Sequence, residues 1–168
     1  MKKFLCIPAI FLFGLMSCNS GSGNETTATA DSTTMQDTSH SAMNMPAVET
    51  LPQVPADAKV FFKSLKDGQT VTSPLKVEMG VSGISIDSAG AIKPNSGHFH
   101  ILIDAGDSVA SGIVIPKDSA HLHYGNAQEE ATITLTPGKH LLTLQVADGA
   151  HRSYGSKLAT SITVDVKK

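Results

Sequence analysis

Between residues 58 and 168, apolar positions alternate with polar ones in a series of short runs. That period of two marks half-buried strands. The pattern predicts strands at Lys59–Phe62, Leu75–Val81, Phe99–Ile103, Gly112–Ile115, Ala131–Leu135, Leu141–Ala147 and Ser161–Val166. Turn chemistry separates most of them: Lys66-Asp67-Gly68, Lys93-Pro94-Asn95, Thr136-Pro137-Gly138-Lys139 and Asp148-Gly149. No stretch carries a sustained helical period. Seven short strands with such punctuation predict an all-β fold, an antiparallel immunoglobulin-like β-sandwich, with a small barrel as the alternative. Ala131 to Ala147, two strands around Pro137-Gly138, reads as two successive strands of such a sandwich.

The chain ahead of this region follows different rules. Lys2 and Lys3 precede an apolar stretch from Phe4 to Met16. It is shorter than the roughly 20 residues a spanning helix needs, and it suits the core of a secretory signal. The stretch ends in Leu15-Met16-Ser17-Cys18, which resembles a bacterial lipobox. The resemblance implies a signal peptide over residues 1–17, cleavage before Cys18 and lipidation of its thiol. Several acyl chains on one residue anchor a protein stably where one chain is marginal. The expected location is the bacterial cell envelope, on the extracytoplasmic side, with the membrane as partner through Cys18.

Residues 18–57 contain five acidic residues, no Lys or Arg, and mostly Ser, Thr, Ala, Gly and Asn. Such a segment has little apolar surface to offset the entropy of ordering, so a disordered tether is expected, with a reach of roughly 35 Å. Met35, His40, Met43 and Met45 fall within it; thioethers and imidazole suit copper, but a plain linker is the simpler reading. The globular domain is placed at 58–168. It holds 11 basic and 10 acidic residues, so the tether carries the negative charge.

Composition then narrows function. A net charge of -2 with no basic stripe excludes an ordinary nucleic-acid binder. The only cysteines, Cys6 and Cys18, exclude a disulfide scaffold, a Cys-rich zinc module and an iron–sulfur site. There is no Gly-x-Ser-x-Gly elbow and no phosphate-cradling glycine loop, so an enzyme is not expected. A catalytic metal would need an acid nearby; Glu129 and Glu130 are candidates for a general base, or simply solvated at a strand entrance.

Six of the seven histidines lie in the domain, four of them as His98-Phe99-His100 and His121-Leu122-His123. On a strand, residues i and i+2 share a face about 7 Å apart, a span at which two imidazoles can converge on one ion. In His98-Phe99-His100-Ile101-Leu102-Ile103-Asp104 the odd positions form a core face and the even ones a mixed face. His98 and His100 are therefore expected off the main core, with Asp104 beside them to orient an imidazole or offer an oxygen ligand. His140 begins the row Leu142, Leu144, Val146 and reads as structural, while Thr143 and Gln145 fall on the solvent-leaning face. His151 follows the Asp148-Gly149 turn and suits either role.

These residues also carry a resemblance. The segments Gly97-His98-Phe99-His100-Ile101-Leu102-Ile103-Asp104, His123-Tyr124-Gly125 with Gln128, Pro137-Gly138-Lys139-His140 with Leu142 and Leu144, and Asp148 with His151 resemble a bacterial family, number 4399 among domains of unknown function. The resemblance runs from about Val60 to Val166. It implies a fold and a histidine site to which His98, His100, Asp104, His123, His140 and His151 belong, without an activity. The chain departs from the family pattern at Phe99 and near Tyr154, where histidines are usual, and at Glu129, where threonine is.

The expected function is thus a non-enzymatic, lipid-anchored binding module. Its candidate metal or ligand residues are His98, His100, His121, His123 and His151, with copper or zinc as the plausible ion. Asp104 and His140 are the supporting or structural pair. The alternative is a structural or protein-interaction domain whose histidines are hydrogen-bonding braces.

Overall fold

The computed structural model describes residues 50–168; the signal, the lipobox and most of the tether lie outside them. Nine strands follow in order: β1 (Lys59–Phe62), β2 (Gln69–Val71), β3 (Leu75–Ser82), β4 (Ser85–Ile86), β5 (Ser96–Ile103), β6 (His121–Tyr124), β7 (Glu130–Ile133), β8 (Gly138–Ala147) and β9 (Ala159–Val166). The one helical element among the described residues is a short 3₁₀ turn, Gly155–Leu158. A three-stranded sheet, β1-β3-β7, faces a six-stranded one, β2-β9-β8-β5-β4, with β6 also paired to β5. The architecture is an all-β sandwich. Most pairings are antiparallel; the short strands β2 and β4 run parallel to β9 and β5.

Alternation builds the core. Phe99 and Ile101 from β5, Leu142, Leu144 and Val146 from β8, and Val164 and Val166 from β9 turn one face of the large sheet inward. Val60 of β1, Val77 and Met79 of β3 and Ala131 and Ile133 of β7 meet them from the small sheet in one cluster. The register holds like with like: Phe99 opposes Val146, and Ile101 opposes Leu144. Leu51 and Val54, ahead of the first strand, also pack against this core.

Two expectations change. Gly112–Ile115 is not a strand; Val114 makes only an isolated bridge to Arg152, and Ile113 and Val114 are exposed. This segment belongs to a long connection between β5 and β6 that lies against the outer face of the large sheet. For that reason Thr143 and Gln145 do not lean into solvent but are fully buried. The Gln145 amide accepts from Val109 N (3.1 Å) and donates to Gly155 O (3.0 Å) and Leu158 O (3.1 Å). Thr143 Oγ1 donates to Gly106 O. The large sheet is therefore covered on both faces, by a sheet on one side and by tied-down loops on the other. Of the strands missed in the sequence, β2 and β4 span only three and two residues, too short to display a period, while the four-residue β6 enters the sequence reading only as a His-x-His pair.

Because Gln145 ties two loop segments to the sheet, Gln145→Ala strands one donor and two acceptors and opens a cavity. We expect a loss of about 2–4 kcal/mol, read by urea unfolding; a loss below about 0.5 kcal/mol would show that the loop layer is not anchored there.

Candidate metal centre

The outer face of the large sheet collects histidines by register. His98 and His100 project from β5, and His123 of β6 lies directly opposite His100. His98 and His100 are fully buried, in a layer closed by the loops described above. The fourth ring, His151, arrives from the turn after β8. The Nε2 atoms of His98 and His100 are 3.0 Å apart, and those of His123 and His151 are 3.1 Å apart. One ligand nitrogen from each of His98, His100 and His123 lies within 4.8 Å of the others. Three imidazoles thus converge closely enough to share one ion, with His151 against them.

The turn that carries His151 is built by Asp148. Its buried carboxylate accepts from the backbone N–H of Ala150 (3.0 Å) and of Arg152 (2.8 Å), and it pairs with the Arg152 guanidinium at 2.7–2.8 Å. His151 adopts a left-handed φ of 65°, a conformation that a non-glycine residue holds only when its surroundings fix it. Its own N–H donates to Asp148 O, and its carbonyl accepts from Ile115 N. Gly125 plays a matching part for His123: a Cβ there would stand 2.4 Å from two atoms of the ring. Arg152 escaped the sequence reading, and Gly125 entered it only as part of the His123-Tyr124-Gly125 resemblance, without its packing against the ring.

The site is electrostatically poised to stay neutral. Burial first, then the neighbouring imidazoles, push His98 down to about 4 and His100 down to about 3. His123 is lowered by the same causes. All three are therefore unprotonated at neutral pH, the form that can ligate a metal. The Nδ1 atoms of His98 and His100 are buried without a hydrogen-bond partner in the protein. Metal-bound histidines usually donate that second N–H to a carboxylate or carbonyl; here packing alone orients the two rings, with Nε2 turned inward.

The other candidates fall elsewhere. His121 shares the face of His123, but its Nδ1 is 2.8 Å from Asp118 Oδ1, and among the described residues it makes no ring contact with the four. Asp104 shares parity with His98 and His100, yet its φ of 56° at the strand end turns it away from them. Its Oδ2 is 2.7 Å from His140 Nδ1, and its Oδ1 accepts from Leu141 N. His140 Nε2 lies 2.9 Å from Thr136 O, and the hydrogen-bonded Asp104 carboxylate raises the pKa of the ring. The set implied by the family resemblance thus divides into a four-histidine cluster and a separate His140–Asp104 clamp. Glu129 and Glu130 lie at the small sheet, paired with Lys63 and Lys76, and supply no base to the cluster. Phe99, where the family usually has histidine, points into the core on the opposite face. Tyr154 is buried there too, its hydroxyl donating to Ser96 O.

For the metal-free chain the depressed histidines have a definite sign. Between pH 6.5 and about 4 the unfolded chain takes up protons that buried His98 and His100 refuse. Stability therefore falls with pH through that window, by up to about 1.4 kcal/mol per pH unit for each ring. His140, raised by its carboxylate, acts oppositely, contributing stability below its unfolded value and losing it as pH rises through its folded one. Urea unfolding in chelator at pH 7.5, 6 and 5 checks the first effect, which His98→Leu/His100→Leu should flatten. An equally flat profile in the unsubstituted chain would mean that the rings are solvated.

No curated protein and no solved structure matches this chain. The family described as Domain of unknown function (DUF4399) matches residues 77–167, a span that contains β5, β6, β8 and all four clustered histidines, and the chain belongs to that family.

Proposed function

We propose that this protein is a non-enzymatic, lipid-anchored binding module of the bacterial cell envelope that holds a copper or zinc ion at His98, His100 and His123. The observation that carries the reading is the convergence of one nitrogen from each of these residues within 4.8 Å, in a buried layer where all are kept neutral. Imidazole is the ligand these ions share.

His98 and His100 each bury an Nδ1 with no protein partner, a cost of about 1–3 kcal/mol apiece that falls on either reading alike. The brace reading retains one point in its favour: the 3.0 and 3.1 Å nitrogen separations also suit N–H···N hydrogen bonds. The two readings part on metal dependence. The anchor reading is supported by Leu15-Met16-Ser17-Cys18, which resembles a lipobox and would put the module on the extracytoplasmic side of the membrane.

Thermal unfolding of the full chain with and without Zn(II) or Cu(II) tests the site. Ligand at 100 times its Kd stabilises by about 2.7 kcal/mol, and the rise in Tm should vanish in His98→Ala/His100→Ala and shrink below about pH 6.5. An unmoved Tm for both metals would return the histidines to the brace reading. The anchor has its own test: Cys18→Ser should release the protein from the membrane fraction of expressing cells, and retention there would refute lipidation.

A further inference from the structure

His151 has no part in the three-nitrogen group, yet its ring touches every member of it. We propose that His151 closes the site as a fourth ligand, making a tetrahedral four-imidazole shell that selects zinc(II) and leaves no coordination position open. This inference rests on the metal-binding reading above and specifies its ion and its geometry.

The six ring-centroid separations decide the shape. They are 4.9 Å for His98–His100, 5.0 Å for His98–His123, 4.9 Å for His98–His151, 5.1 Å for His100–His123, 4.8 Å for His123–His151 and 6.1 Å for His100–His151. An ion with nitrogens at about 2.0 Å places each ring centroid about 3.2 Å away, so a tetrahedron has six centroid edges of about 5.2 Å. A square has four of about 4.5 Å and two diagonals of about 6.4 Å. Five near-equal separations and a single longer one match a slightly opened tetrahedron; a square requires two long ones. The nitrogen separations of 3.0 and 3.1 Å fall between the two cases and do not discriminate.

The fold explains the shape. Three rings rise from one sheet face, two from β5 and one from the register-matched position on β6. The fourth descends from a turn that β8 delivers over them. A floor of three and a cap of one is a tetrahedron by construction. The cap is rigid, because the buried Asp148 carboxylate fixes the turn through two backbone N–H groups and Arg152. Cu(II) and Ni(II) prefer tetragonal arrays, whereas zinc accepts four tetrahedral ligands without a preference of its own. With all four positions taken by protein there is none for a reacting water, as in structural zinc sites.

Cobalt(II), which shares zinc's geometry and is coloured, tests this on the untagged full chain. We expect one equivalent of Co(II) to give the intense visible d–d absorption of tetrahedral cobalt and Zn(II) to discharge it. In His151→Ala the metal should still bind, with the band reduced to the weak absorption of a five- or six-coordinate ion. Zinc affinity should fall by more than the roughly 10- to 100-fold that loss of a mere orienting group costs. Binding with a weak band in the unsubstituted chain, or a His151→Ala spectrum identical to it, would overturn the four-ligand shell while leaving metal binding intact. Absence of binding by cobalt, zinc and copper alike would overturn both this inference and the metal-binding reading. Should His151→Ala fail to fold, the spectrum of the unsubstituted chain still decides the geometry.

Discussion

The structure turns on the alternation of side chains along β5. This strand sits inside the large sheet, with β8 on one edge and β6 and β4 on the other, and both of its faces are covered. Phe99 and Ile101 enter the hydrophobic core while His98 and His100 point the opposite way, and all four are buried. A slip of one residue in pairing would drive both histidines into the core and expel Phe99 and Ile101 from it. The apolar packing that stabilises the sandwich therefore fixes the position of His98 and His100. His123 inherits the same constraint, because Leu122 and Tyr124 on either side of it pack against the core.

Covering the outer face with loops has an electrostatic consequence. In a sandwich whose outer face meets water, His98 and His100 would titrate near their ordinary value and bind metal only in competition with solvent. Here Val109, Gly106, Gly155 and Leu158 bond to the buried side chains of β8, so the loops are held against the sheet by polar contacts as well as apolar ones. Burial keeps the imidazoles neutral and packs them closely, at the expense of the metal-free fold in acid. Burial in this layer thus sets the stability of the metal-free fold in acid against the neutrality of its rings.

Much of this was legible in the sequence, and the limits have physical causes. Parity along 98–104 placed the core on one side and the histidine pair on the other, because a strand face is a local property. Whether that second face was open or covered was not local: Gln145 meets Val109 across 36 residues of chain with no periodicity to announce it. The same limit explains Gly112–Ile115, whose apolar run resembles a strand although it belongs to the covering loop. His121 and His123 are equivalent by spacing, and what distinguishes them is Asp118, three residues before His121, and Gly125, two after His123. Asp104 shows where parity fails, since a left-handed residue at the strand end no longer obeys the alternation.

The domain's histidines finally separate by their neighbours. His140 and His121 each lie against a carboxylate that occupies one ring nitrogen. The four clustered rings lie against one another, and the only acid felt by His98, Asp148, is already engaged by Arg152 and the turn backbone. A carboxylate moved into contact with His98 and His100 would stabilise imidazolium. Keeping the nearest acid at one remove, bound to other donors, helps burial hold these two rings neutral.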